Sequence, residues 1–146
     1  MPLQTFEAAI CILMAAIALI VISIYPNIQN AINIGKQRRM MADIRAIGGA
    51  VESYREDFKV YPAGKTAVEK IRKELEAYLD EELPVKDEWG NQYMYISDGL
   101  ASYTIMSFGE NRAQDGPTTY QGLVTSFSND IVYSNGAFVS FPETIE

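Results

Sequence analysis

The sequence predicts an α+β fold: a long N-terminal helix, apolar in its first half and amphipathic in its second, packed on a small C-terminal antiparallel sheet. Three observations carry this. No charged residue stands between Ala8 and Tyr25, an apolar stripe with helical spacing runs from Met40 to Phe58, and β-rich runs flank tight-turn sequences after Pro84.

The uncharged run is long enough to cross the ~30 Å hydrocarbon core of a bilayer as a helix. Glu7 stands at its edge, and no Lys or Arg precedes Lys36. A carboxylate beside so much apolar surface must be paired, protonated or hydrated, because burying it ionised costs several kcal/mol or more. Pro26 closes the run; it removes one backbone hydrogen bond and bends or interrupts a helix that continues through it. Residues 1–26 are expected to form an apolar anchor and residues 27–146 a globular part.

Beyond Pro26 the helical pattern persists to about residue 60. Met40, Ile44, Ile47, Val51, Tyr54 and Phe58 recur at steps of four and three and so share one face, while Asp43, Arg45, Glu52, Arg55 and Glu56 lie between them. Gly48 and Gly49 weaken this helix slightly, and Val60-Tyr61-Pro62 ends it. A short amphipathic helix is expected over 66–79, with Val68, Ile71, Leu75 and Leu79 inward, and Asp80, Glu81 and Glu82 as a solvated close.

A sheet is expected within 93–142. Two β-rich runs surround Asp98-Gly99, and two more surround Asn135-Gly136, a strong hairpin signal. Tyr93 and Tyr95, at i and i+2, share one face of a strand and read as sheet packing together with Trp89. Between the hairpins, residues 109–130 form a long, oxygen-rich loop, and loops of that length are usually functional or tied down.

Composition excludes several functions. The chain has 146 residues, 48% of them hydrophobic, and a formal charge of -7, which argues against a nucleic-acid partner because phosphate binding needs clustered cations. Histidine is absent, so His-based acid–base catalysis, His–Cys zinc sites and His-activated nucleophiles are excluded. The lone Cys11 permits no intrachain disulfide and reads as a small hydrophobe. No nucleophile–base pair or phosphate-binding loop can be assembled, so the chain is not expected to be an enzyme.

The order of these features, together with Asp43, Ile44, Tyr54, Tyr61, Pro62 and the segment Leu83, Pro84, Asp87, Trp89, Gly90, Tyr93, resembles the type IV pilin superfamily. Within it, the chain is most similar to the major pseudopilin of type II secretion systems. The resemblance implies a structural subunit that polymerises through its N-terminal helix into a helical homo-oligomer used in protein export. It also implies an inner-membrane assembly platform, a secretion ATPase and a prepilin peptidase as partners. The subunit would occupy the inner membrane before assembly and a periplasmic or extracellular filament afterwards. No basic leader stands in the text, so it reads as a mature chain whose leader has been removed, with the body facing outward; whether Met1 is methylated stays open.

The same resemblance assigns candidate residues. Glu7 of one subunit would pair with the α-amino group of Met1 of its neighbour, the alternative being an interfacial, hydrated acid. Pro26 would be either a simple helix end or a point at which the helix melts locally on leaving the bilayer. Asp130, Asn129, Asp115, Ser128 and Glu110, with Asn111 as a further candidate, would bind a structural calcium ion; the alternative is a set of ordinary turn formers. Two other functions remain in view. One is the major pilin of a surface pilus for adhesion or motility. The other is a single-span, membrane-anchored binding domain, against which the alanines at 8, 9, 15, 16 and 18 speak, since small residues suit close helix packing.

Overall fold

The computed structural model describes residues 3–115 and 122–142. Helix α1 spans Leu3–Phe58 and carries Pro26 inside it, so Pro26 is not a helix end. The chain divides into two compact units, 1–35 and 36–146. In the first, every side chain from Phe6 to Asn27 is exposed, including Phe6, Leu13, Leu19 and Ile22. That segment is apolar all round, the mark of a helix meant for hydrocarbon or for other helices.

In the second unit the stripe behaves as its spacing requires. Met40, Ile44, Ile47 and Val51 are fully buried, whereas Tyr54 is half-buried and Phe58 is exposed. The last turn therefore departs from the expected inward face: Tyr54 meets Phe58 at 4.5 Å with the rings tilted and Tyr78 edge-on, and Tyr54 and Tyr78 lie at the margin of the core while Phe58 is exposed. The helix stops at Lys59, whose backbone is left-handed (φ 61°) and whose amide donates to the Arg55 carbonyl at 2.8 Å.

The sheet has six strands: β1 Gly64–Ala67, β2 Met94–Ser97, β3 Tyr103–Ser107, β4 Gly122–Val124, β5 Ile131–Ser134 and β6 Ala137–Pro142. Their order is β1-β2-β3-β5-β6-β4, antiparallel throughout except for β4, which pairs parallel with β6. Both expected hairpins form. At β5–β6, Asn135 and Gly136 both take positive φ (49° and 86°), the requirement of a tight two-residue hairpin turn. At β2–β3, the Asp98 carboxylate accepts the amides of Leu100, Ala101 and Ser102, and these bonds hold its pKa below the ordinary value.

Two strands depart from expectation. Residues 64–67 pair with β2 instead of opening a helix at 66, and the helical turns that follow are short: 3-10 over Val68–Ile71 and Glu76–Tyr78, α over Arg72–Leu75. Val68, Ile71 and Leu75 still face inward. Strand β4 lies inside the segment read as loop. The core joins the α1 stripe to Tyr93, Tyr95, Tyr103, Ile105 and Ile131 from the sheet.

The paired glycines of α1 are not equivalent. A Cβ on Gly48 would fall 2.5 Å from the Tyr133 ring, which is itself held by Tyr103 and Phe138, whereas one on Gly49 would meet nothing within 4 Å. Gly48 thus admits the sheet to the helix surface, at the cost of helix propensity. Thermal melts of the two alanine variants should diverge. Gly49→Ala should raise the melting temperature by about 2–4 °C through roughly 1 kcal/mol of helix propensity. Gly48→Ala should lower it, since overpacking of this kind costs about 1–3 kcal/mol.

Candidate functional site

Two regions hold the expected site residues. The first is the exposed apolar segment of α1. Glu7 is exposed there, and the exposed Cys11 lies one turn further on. Met1, the expected partner of Glu7 in a neighbouring copy, lies outside the described residues. Pro26 sits within the helix, where its ring removes the bond that an amide would donate to the Ile22 carbonyl.

The second region is the loop after β3. Its opening residue, Gly109, has φ 65°, and the carbonyl oxygens of Phe127, Ser128 and Asn129 all crowd its α-carbon: a Cβ there would lie 2.8 Å from each. The Glu110 amide donates to the Phe127 carbonyl at 2.9 Å, which ties the start of the loop to its end. The chain passes so close because glycine has no side chain to keep the three carbonyls away.

Asp130 is the central group. It is 8% exposed; its Oδ2 accepts the Asp115 amide at 3.1 Å, and its Oδ1 is buried with no hydrogen-bond partner. Burial, reinforced by the nearby Asp115 carboxylate, pushes its pKa up to about 6. An orphaned carboxylate oxygen is costly, and such a group in a native fold calls for an explanation. Asp115 is held in turn: its Oδ1 accepts from the Asn111 amide group at 2.7 Å, and the Asn111 side-chain oxygen accepts the Ala113 amide.

The structure thus brings Asp115 to Asp130, and the carbonyls of Ser128 and Asn129 to Gly109. The Asn129 side chain is turned elsewhere, its Oδ1 accepting the Ser126 amide at 3.1 Å. Ser128 is fixed by its backbone amide on the Ser126 hydroxyl, and the Glu110 side chain is exposed. Among the described residues, no three His, Cys, Asp or Glu side chains form a metal-ligating group. The loop instead offers a buried carboxylate with a second one near it, and, around Gly109, three main-chain carbonyls. They are hard oxygen donors, the chemistry that suits calcium.

One feature escaped the sequence reading. Asn91, which follows Trp89-Gly90, donates its side-chain amide both to Asp87 Oδ2 (3.0 Å) and to the Gly109 carbonyl (2.8 Å), eighteen residues away. The signal available in sequence was the Asp87-to-Tyr93 segment itself, though not its target. The tyrosines fill the packing role expected of them: Tyr93 and Tyr95 are fully buried, donating to Asp43 and to the Pro62 carbonyl.

A model of the family described as type II secretion system (T2SS), protein G, matches residues 27–126. No curated protein matches the chain significantly.

The raised pKa of Asp130 has a definite sign. Below its ordinary value of 3.8 the group is protonated whether the chain is folded or not. As pH rises through about 6 the folded chain must release a proton it holds more tightly than the unfolded chain does, so stability falls. In chelator, denaturation curves should show wild type losing stability relative to Asp130→Asn between pH 4 and 7. Parallel curves for the two would contradict the burial of this carboxylate.

Proposed function

The chain belongs to the family of type II secretion system protein G, the major pseudopilin, and from that premise we propose that it polymerises through the apolar half of α1 into a helical filament that serves protein export. Members of this family are structural filament subunits and not enzymes. The observation that carries the proposal is that every side chain of residues 6–27 is exposed among the described residues. Each large apolar side chain there gains about 1.5–3 kcal/mol when removed from water, so the segment belongs in a bilayer or against copies of itself. Among the described residues, one helix is long and apolar enough to cross a membrane.

The order of events follows. The subunit waits in the inner membrane, its body outside the cytoplasm, and an assembly platform driven by a secretion ATPase extracts it into a periplasmic filament. In the filament, helices bundle, and Ala8, Ala9, Ala15, Ala16 and Ala18 admit close neighbours. Glu7 then meets the α-amino group of Met1 of the adjoining copy. A subunit docked out of step would leave both charges unpaired, so the pair sets register. Pro26 provides a place where the helix yields during extraction, since backbone groups freed in a packed core find partners among adjacent helices.

A calcium ion completes the loop. Asp130 and Asp115, with the carbonyl oxygens of residues 127–129, would hold it, and its charge would compensate the orphaned Asp130 oxygen while tying the two ends of the loop together.

Electron microscopy of material sheared from producing cells tests both parts. Filaments should appear in calcium-containing buffer and shorten or vanish on chelation. Filaments indifferent to the chelator would remove the metal from the account, and monomers under both conditions would remove the filament. Glu7→Ala should leave the amount of membrane-inserted chain unchanged and reduce sheared filament by tenfold or more. Undiminished filament would return Glu7 to the role of a hydrated acid at the membrane surface.

A further inference from the structure

Asp87 is buried, and its carboxylate is held by four hydrogen-bond donors. Oδ1 accepts the backbone amides of Trp89 (3.0 Å) and Asn91 (2.8 Å), and Oδ2 accepts the Asn91 side-chain amide (3.0 Å) and the Ser107 hydroxyl (2.7 Å). Two of these donors lead directly to the mouth of the candidate calcium loop. Asn91 Nδ2 donates onward to the Gly109 carbonyl at 2.8 Å, and Ser107 Oγ accepts the Gly109 amide at 3.3 Å. Gly109 is therefore gripped at both its amide and its carbonyl by groups that Asp87 orients.

A turn would be stabilised by the two backbone bonds alone. The Asn91 side-chain amide closes the turn on Asp87 and also reaches Gly109 eighteen residues away, while the Ser107 hydroxyl reaches Asp87 across 20 residues; the two converge on one glycine. That glycine is the residue over which the carbonyls of Phe127, Ser128 and Asn129 close. Its lack of a side chain is what allows those three oxygens to come so near. The bonds from Asn91 and Ser107 to the Asp87 carboxylate, at 3.0 and 2.7 Å, fix the two side chains that in turn hold Gly109.

We propose that Asp87, acting through Asn91 and Ser107, is a positioning residue for the loop's cation site: it pre-orders Gly109, and through it the carbonyls of residues 127–129, for a hard divalent cation. The inference rests on the calcium reading given above. It also assigns the Trp89-Gly90 turn a purpose. Glu88 in that turn pairs with Arg39 at 3.0 Å, and Trp89 lies under the Lys36 ammonium, 5.6 Å from it. The turn thus links residues 36–39 of α1 to the mouth of the loop.

The test is calorimetric titration of the full chain in detergent micelles with CaCl2, paired with thermal melts in chelator. Asn91→Ala keeps the backbone amide on Asp87 and removes the bridge to Gly109. Its melting temperature in chelator should stay within a few degrees of wild type, while its calcium affinity falls by tenfold or more. Asn91→Ser, too short to span both acceptors, should weaken calcium similarly and keeps the test open if the alanine variant does not accumulate. Calcium affinity within twofold of wild type in either folded variant would overturn the inference, even if its chelated melting temperature dropped, because that pattern is purely structural. A wild-type chain that gives neither heat nor a melting shift with CaCl2 would overturn the calcium reading first, and the positioning role with it.

Discussion

Because an α-helix closes its own backbone hydrogen bonds, α1 is free to present apolar side chains outward over residues 8–22, and all of them are exposed. That uncovered surface is the constraint from which the functional account follows. It demands either lipid or other copies of the same helix, and a subunit that must exchange one for the other needs both a body that folds by itself and a device that recognises the correct neighbour. The second compact unit, 36–146, supplies the core, with the inward stripe of α1 closed by the sheet and by Val68, Ile71 and Leu75. In the proposed assembly, Glu7, the one charge in an otherwise neutral stretch, would be the group through which a wrong register is penalised.

Much of this was legible in the sequence, and the reasons are local. The stripe from Met40 to Val51 follows helical spacing, and Asn135-Gly136 imposes its hairpin because both residues tolerate positive φ. Strands β1 and β4 were not legible. Gly64-Lys65-Thr66-Ala67 has neither alternation nor strong β-formers, and Gly122-Leu123-Val124 is three residues long; each is a strand only because β2 or β6 offers an edge to it. Phe58 continues the helical spacing beyond the point where the sheet still covers the helix, so periodicity alone places it inward and the structure does not.

The loop shows the same division. Its richness in hard oxygen was readable from composition, and Asp130 and Asp115 do come together. What composition could not show is that Asn129 spends its side-chain oxygen on Ser126, so that residues 128 and 129 offer their carbonyls, or that Asp130 keeps one buried oxygen without a partner. Those facts depend on which atoms burial leaves facing one another. The Asp87 network is the clearest case, since the Asn91 side chain within it bonds Gly109, eighteen residues away.

Cys11 allows the central claim to be read out directly, because it is the only cysteine and lies on the exposed apolar surface of α1. Sheared filaments freed of membrane would be treated with a maleimide reagent, then dissociated in detergent and treated with a second, distinguishable one. If copies of α1 cover one another, Cys11 takes only the second label. Full reaction with the first, in intact filaments, would show that the apolar helices are not the filament's core and would contradict the account.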